Sequence, residues 1–316
     1  MKAIVYTKFG PPDVLQLKEV EKPVPKDNEI LIKVHAASAN AYDWHHLRAD
    51  PFFIRLMGAG LLKPKHKILG ADIAGQVEAV GRHVKQFQPG NDVFGEGSYG
   101  GFAEYVCVDE NRFVLKPANL TFEEAAAIPM AALTALQGLR DKGRIQERQK
   151  VLINGASGGV GTFAVQIAKS FDAEVTGVCS TTKMDLVRSI GADHVIDYTQ
   201  EDVTKNKQKY DLIFDIAAYR SISKYKRILS SGGIYVLAGG SMARIFQLML
   251  KSKTGAKNMR LIVAKISQKD LLFITELMSA GKVKSIIDKR YPLNETAEAL
   301  RYLEEGHARG KVVITV

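Results

Sequence analysis

From residue 1 to about 118 the apolar positions fall in short runs rich in Val, Ile and aromatic residues, cut apart by Gly, Pro and Asn, with examples at 2–6, 29–36, 73–80 and 103–108. Such runs between turn residues predict strands, and Gly10-Pro11-Pro12 and Pro89-Gly90-Asn91-Asp92 mark turns, so this part reads as a mainly β unit. From 121 the texture changes. Thr121-Phe122-Glu123-Glu124 has a cap hydroxyl followed three residues later by an acid, which predicts a helix start, and a small-residue helix follows over 125–140. Strands at 150–154, 174–179, 194–196, 211–215, 234–237 and 260–264 then alternate with helical segments, the pattern of parallel βαβ units in a doubly wound sheet. The tail, 285–316, returns to strand, helix and strand and ends in the apolar run 312–316. No internal repeat and no low-complexity segment is present.

The chain has 316 residues, room for about two domains. Its 46% hydrophobic and 25% charged residues exclude disordered and fibrous classes. With 44 Lys and Arg against 34 Asp and Glu the formal charge is +10, which favours anionic partners without specifying a fold. The two cysteines, Cys107 and Cys179, stand far apart, so a zinc lobe built on four close thiolates is excluded. A second lysine at position 8 interrupts any secretory signal. The longest uncharged apolar stretch, 125–139, is too short for a bilayer and contains Pro129. These features predict a soluble protein of a reducing compartment, with the cytoplasm as the expected location.

Candidate chemistry concentrates at Asn154-Gly155-Ala156-Ser157-Gly158-Gly159-Val160-Gly161, where an apolar strand runs into glycines and then into the helix 162–169. The spacing Ala156-x-Gly158-x-x-Gly161 matches a dinucleotide fingerprint with alanine in the first glycine slot. Gly158 lets the main chain approach a pyrophosphate, Gly161 lets helix and strand pack closely, and the helix N-terminus offers amides and a positive dipole end. About 20 residues on, where an NAD-selective site carries an acid, the chain reads Cys179-Ser180-Thr181-Thr182-Lys183. Hydroxyls and a lysine suit a 2′-phosphate, so NADPH is the expected cofactor; Asp185 is a weaker candidate for the ribose.

These residues resemble the medium-chain dehydrogenase/reductase superfamily, in its zinc-free quinone oxidoreductase branch. The likeness runs through Asn40-Ala-Tyr-Asp43, Gly70-Ala-Asp72-Ile-Ala-Gly75, Pro89-Gly-Asn-Asp92-Val-Phe-Gly95, Gly100-Gly-Phe-Ala-Glu104-Tyr105, Leu133-Thr134-Ala135, Gly191-Ala-Asp193 and Gly310-Lys311. It implies a GroES-like catalytic domain from 1–118 and 265–316 around a Rossmann domain at 119–264, and a homodimer. It also implies the absence of zinc: the family's Gly-His-Glu reads Gly70-Ala71-Asp72, its first cysteine falls within Ser38-Ala39-Asn40-Ala41, and fewer than three protein ligands remain. His45 and His46 flank the site and are not expected to chelate. By the same resemblance Asn40 contacts the nicotinamide ribose and the substrate carbonyl, and Thr134 contacts the nicotinamide ribose. Tyr198 lies near the adenosine 2′-phosphate, Gly239 lets the backbone approach the cofactor, and Arg309 or Lys311 closes over it from the tail. Ala41 stands where the family's box has proline, and Tyr42 beside it is either a phenol donor to the carbonyl or packing.

The implied reaction is hydride transfer from NADPH, lying in the cleft between the domains, to a quinone or α,β-unsaturated carbonyl, with Asn40 or Tyr42 hydrogen-bonded to the substrate oxygen. Two alternatives stand beside it. One is an enoyl-thioester reductase, for which the apolar loop 49–66 (Phe52, Phe53, Leu56, Met57, Leu61, Leu62) would line an acyl pocket and the lysines of 63–67 would meet an anionic carrier. The other is an NADPH-responsive binding protein with little turnover. Residues 244–290 hold eleven Lys or Arg and three acids, which would form its phosphate-binding face, yet no aromatic ladder of the RNA-binding kind interleaves them.

Overall fold

The computed structural model describes residues 1–240, 244–248 and 258–316. Lys251, Lys253 and Lys257 of the basic stretch lie outside the described residues, as does the side chain of Met57. The chain divides into two compact units. The first is Met1–Met130, Ile266–Thr275 and Ser285–Val316; the second is Ala131–Lys265 and Glu276–Lys284.

In the first unit a seven-stranded sheet runs in the order Ile287–Pro292, Lys311–Thr315, Glu29–Ala39, Asp72–Val80, Asp92–Glu96, Phe113–Leu115, with Tyr105–Asp109 also paired to Glu29–Ala39. A short ribbon, Lys2–Val5 with Gln16–Glu19, stands beside it. The last strand of the chain lies antiparallel to Glu29–Ala39, with Val312 opposite Ala39 and Thr315 opposite Ala36. It is parallel to Ile287–Pro292. A parallel pair needs a crossover, and the helix Thr296–Glu304 provides it, burying Ala299 and Leu300. Ile4, Tyr6, Leu47, Leu69, Phe102, Leu300, Val312 and Ile314 form one core cluster, so both chain ends share it.

The second unit is a six-stranded sheet of parallel strands. Numbered along the chain these are Lys150–Asn154, Glu174–Cys179, His194–Asp197, Tyr210–Asp215, Leu229–Leu237 and Met259–Leu261, and their spatial order is 3-2-1-4-5-6. That is the dinucleotide-binding order, with its switch point between strands 1 and 4. Val151, Leu152 and Ile153 are all fully buried, the continuous apolar run of a strand covered on both faces.

Three boundaries differ from the sequence reading. The helix expected over 125–140 is two helices, Phe122–Ala126 and Pro129–Leu136, followed by a π-helical turn Gln137–Lys142. Pro129 lacks an amide hydrogen and restricts the residue before it, so a new helix begins there. The capping box does form, with the Thr121 amide donating to Glu124 Oε2 at 2.9 Å and the Glu124 amide to Thr121 Oγ1 at 3.1 Å. The break between units falls after Met130 and not at 118, because Phe122–Ala126 packs on Glu29–Ala39 and Asp72–Val80 and the Met130 amide donates to Asp72 Oδ1 at 3.0 Å. Residues 276–284 go with the second unit, where Gln166 bonds both the carbonyl and the amide of Lys284 at 3.0 and 2.9 Å. Among the described residues no helix is long and apolar enough to cross a membrane.

Candidate functional site

In the second unit the glycine turn leaves the carboxyl end of strand 1, beside the switch point. Gly155 has φ +90°, a conformation that favours glycine. Ala156 is fully buried and its amide donates to Val178 O at 3.0 Å, so the turn is tied to strand 2. The two later glycines differ in what surrounds them. A Cβ on Gly161 would stand 2.0 Å from Gly155 O and 2.7 Å from Ala156 C, so the close approach of helix and turn excludes any side chain. A Cβ on Gly158 would meet only Gly155 O, at an ordinary 3.7 Å. No protein contact therefore demands glycine at 158; what a side chain there would obstruct is the open side of the turn. Gly158 is also the N-cap of the twelve-residue helix Gly159–Ser170, and no side chain caps it, which leaves first-turn amides and the positive dipole end for an anion. These residues fit a dinucleotide pyrophosphate.

Across the switch point Asp215 ends strand 4, fully buried. Its Oδ1 accepts from Asn154 Nδ2 at 2.7 Å and the Ala218 amide at 2.9 Å, and its Oδ2 accepts from the Tyr235 hydroxyl at 2.6 Å. Arg244 stands 3.5 Å from the same carboxylate. This brace was not singled out from sequence, though an acid closing the apolar run Leu212-Ile-Phe-Asp215 was its signal. Gly239, after strand 5, has φ +96° and nothing within 4 Å of a Cβ, so it too is open.

At the end of strand 2 the expected hydroxyls are present, with one surprise. Thr181 donates not outward but to Asp197 Oδ2. Asp197 ends strand 3 in register with Cys179, and its Oδ1 also accepts from the amide and hydroxyl of Thr199 at 2.9 and 2.8 Å. The Thr181 bond, followed by those of Thr199, holds its pKa below the usual carboxylate range. An acid thus stands beside this strand end after all, brought by the sheet and not by the spacing, but its lone pairs are committed to protein donors. Ser180 and Lys183 are half-buried in the turn; Tyr198 is 40% exposed, its ring 5.3 Å from that of Tyr219. Thr134 lies on the helix Pro129–Leu136.

In the first unit a buried polar network gathers Ser38, Asn40, Asp72 and Lys311. Asp72 is fully buried, and its Oδ2 accepts from Ser38 Oγ and from Asn40 Nδ2, both at 3.0 Å. Asn40 Nδ2 donates its other hydrogen to Ser38 O at 3.2 Å. The Lys311 ammonium, on a side chain 3% exposed, donates to Asn40 Oδ1 and lies 3.5 Å from Asp72 Oδ2. Both amide hydrogens of Asn40 are therefore spent inside the protein, and Asn40 links Lys311 to Asp72. Lys311 points inward from the last strand and not over the surface of the tail. Arg309 is exposed, with its amide donating to Asp288 Oδ2 at 2.8 Å. Asp43 closes the first turn of helix Ala41–Arg48, accepting from the amides of Asn40 at 2.8 Å and Gly70 at 3.0 Å.

Three carboxyls and one ammonium share this interior. Burial pushes Asp72 up, opposed first by Lys311. Burial pulls Lys311 down, opposed by Asp72, Asp43 and Glu96. Asp43 is pushed up to about 7 by burial against the pull of its two amide bonds. Glu96, directly opposite Asp72 in the sheet register, is pushed up to about 8 by burial and then by the Asp72 charge. Next to the network an aromatic group runs along Tyr42, His46, Tyr99 and His66. Tyr42 lies 3.9 Å from the His46 ring, and His66 stacks on Tyr99 at 3.9 Å. Burial, followed by the hydrogen bond with Tyr99, raises Tyr42 far above the ordinary phenol value, so it stays protonated. His46 is lowered by burial and donates from Nδ1 to Tyr42 O at 2.8 Å.

This donor set does not fit zinc. Zinc takes about four nitrogen, sulfur or carboxylate ligands in a tetrahedron. Here the groups are a hydroxyl, an amide and carboxylates with an ammonium already against Asp72, and no cluster of three His, Cys, Asp or Glu suited to a metal occurs among the described residues.

A family model described as zinc-binding dehydrogenase matches residues 190–314, and one described as alcohol dehydrogenase GroES-like domain matches 26–118. The chain is 34% identical to the mitochondrial NAD(P)H oxidoreductase RTN4IP1 of Bos taurus over 357 residues, covering 100% of this chain and 89% of the relative. It is 34% identical to a chloroplastic NADPH-dependent alkenal/one oxidoreductase of Arabidopsis thaliana over 329 residues, covering 99% and 79%. Among solved structures, the quinone oxidoreductase from Coxiella burnetii superposes with a TM-score of 0.88 at 30% identity, covering 100% of this chain and 99% of that one. With a nucleotide-type turn in one unit, a GroES-like sheet in the other and these relatives, the chain belongs to the medium-chain dehydrogenase/reductase superfamily, among its quinone oxidoreductases.

Proposed function

We propose that the protein is an NADPH-dependent reductase that delivers a hydride to a quinone or an α,β-unsaturated carbonyl without a metal. The observation that carries this reading is the contrast at the glycine turn: Gly161 is required by protein packing, whereas Gly158 is required by nothing in the protein. The names of the relatives, an NADPH-dependent alkenal/one oxidoreductase and a quinone oxidoreductase, support the acceptor class.

NADPH over NADH is supported by the strand ends. Asp197 is occupied by Thr181 and Thr199, and Asp185, on the helix that follows, is paired with Arg188 at 2.9 Å. Ser180, Lys183 and Tyr198 are of the types that bind a 2′-phosphate. The two cysteines are unpaired thiols, which suits a reducing compartment such as the cytoplasm, although the curated relatives include mitochondrial and chloroplastic proteins. A homodimer through an edge of the six-stranded sheet is part of the same reading.

When bound, the nicotinamide supplies the hydride chemistry. The protein supplies position and charge. The turn and first helical amides hold the pyrophosphate. Lys311 offsets Asp72, and with Asn40 fixing the ammonium the interior stays rigid. Tyr42, kept protonated by burial and hydrogen-bonded to Tyr99, turns its hydroxyl from that partner to the substrate oxygen as charge grows on it; removing one such donor costs on the order of 10²-fold in rate. Zinc has no part, because the resident ammonium already neutralises the carboxylate a metal would need.

Four outcomes follow. Gly158→Val leaves thermal unfolding near wild type but weakens NADPH binding at least about tenfold in fluorescence titration, since only the open side is filled; unchanged affinity contradicts the assignment. Lys183→Glu raises KM for NADPH by about tenfold or more through charge repulsion while NADH kinetics stay put; an equal loss with both cofactors contradicts the phosphate assignment. For pH, Glu96 is neutral below about 8 and above it adds a charge beside Asp72. kcat/KM therefore falls as pH rises through 8, by about tenfold per unit for one ionisation, and Glu96→Gln flattens that limb. Because its folded pKa exceeds the ordinary 4.5, the folded state holds the extra proton between those values. Stability conferred below 4.5 is thus lost as pH rises toward 8, by roughly a few kcal/mol at most, and Glu96→Gln removes that slope in melting curves.

A further inference from the structure

Residues 51–71 contain Arg55, Lys63, Lys65 and Lys67 and no acid. Within this segment the side chains of Phe52, Leu56, Leu61 and Leu62 are 62%, 70%, 56% and 85% exposed. Single exposed apolar residues are ordinary, but a group of four on one segment is not. The tip is not loosely held. The Lys65 amide donates to Ala59 O at 2.8 Å, Ala59 and Pro64 are buried at the two feet, and Gly60 at φ +107° leaves 2.1 Å between a would-be Cβ and Lys63 O. Arg55 spans the loop from inside, its guanidinium 4.8 Å from the Phe9 ring and 5.3 Å from that of Phe52. A closed turn thus holds Leu61, Leu62 and Lys63 out into solvent, with Lys65 and Lys67 just behind.

We infer that this loop docks the protein on an anionic lipid surface, with Leu61 and Leu62 entering the interface and Lys63, Lys65 and Lys67 facing lipid phosphates. Exposed apolar side chains and cations on one short segment are the two signals that together give reversible interfacial binding. Charge complementarity selects the occupant. In a two-fold contact the patch would meet itself, bringing like charges together, whereas an anionic membrane accepts both the leucines and the lysines. Docking of this kind is peripheral and needs no spanning helix.

The test uses the full chain with vesicles of phosphatidylcholine alone and of phosphatidylcholine mixed with phosphatidylglycerol, read by co-sedimentation at low and high salt. Binding is expected to the mixed vesicles only and to weaken at least about tenfold in high salt. Leu61→Asn with Leu62→Asn, and separately Lys63→Gln with Lys65→Gln, each reduce binding about tenfold or more, while circular dichroism and melting temperature stay at wild-type values. Absence of binding to mixed vesicles overturns the inference. So does binding that the leucine pair does not alter, which is charge attraction alone and would be matched by polyglutamate. Concentration-dependent self-association that the leucine pair abolishes, with no vesicle binding, also overturns it and assigns the face to a second copy.

Discussion

The ammonium of Lys311, carried by the last strand into the interior of the first unit and set against Asp72 and Asn40, is the interaction from which the site takes its form. A buried cation is tolerated only when paired and hydrogen-bonded, and this one ties the last strand to Asp72 on a second strand and to Asn40 at a strand–helix junction. Asp72 spends its remaining lone pairs on Ser38, Asn40 and the Met130 amide. The return of the chain end to the first sheet is therefore a matter of charge as well as of apolar burial. Burial, with the Asp72 charge acting in the same direction, raises both Glu96 and Asp43 above the usual carboxylate range, Glu96 to about 8 and Asp43 to about 7.

The second unit works by a different principle. The turn proposed to take an anion is made of main chain, and neighbouring groups brace it. Asp215 ties strand 1 to strand 4 through Asn154; Ala156 ties the turn to strand 2; Gly161 is a contact no other residue could make. Within that turn Gly158 is left open, and in the proposed reading this is where a ligand's phosphates have access.

Much of this was legible in the sequence. The alternation of β-rich and strand–helix textures gives two units with the tail returning to the first, and the glycine spacing marks the turn and the close packing at Gly161. Boundaries were less legible, because Pro129 restarts a helix within one apolar run and because tertiary packing, not composition, carries 119–130 to the first unit. The polar network was legible only in part. Asn40, Tyr42 and Lys311 stood out as separate residues, but their registers bring Lys311 onto Asn40 over a separation of 271 positions, which no local pattern encodes. Asp72 was noticed as the place where an imidazole is missing, and its partner cation could not be read from that. Asp197 was missed because the spacing rule looks along one strand, whereas the sheet supplies the acid from the next.

The most direct test of the account is the rate of NADPH oxidation by the purified protein across a panel of quinones and enones, measured with and without a strong zinc chelator. The account predicts turnover with several of these acceptors, faster with NADPH than with NADH, and the same rate in the presence of chelator. A rate abolished by chelator and restored by zinc, or no oxidation with any acceptor, would contradict it.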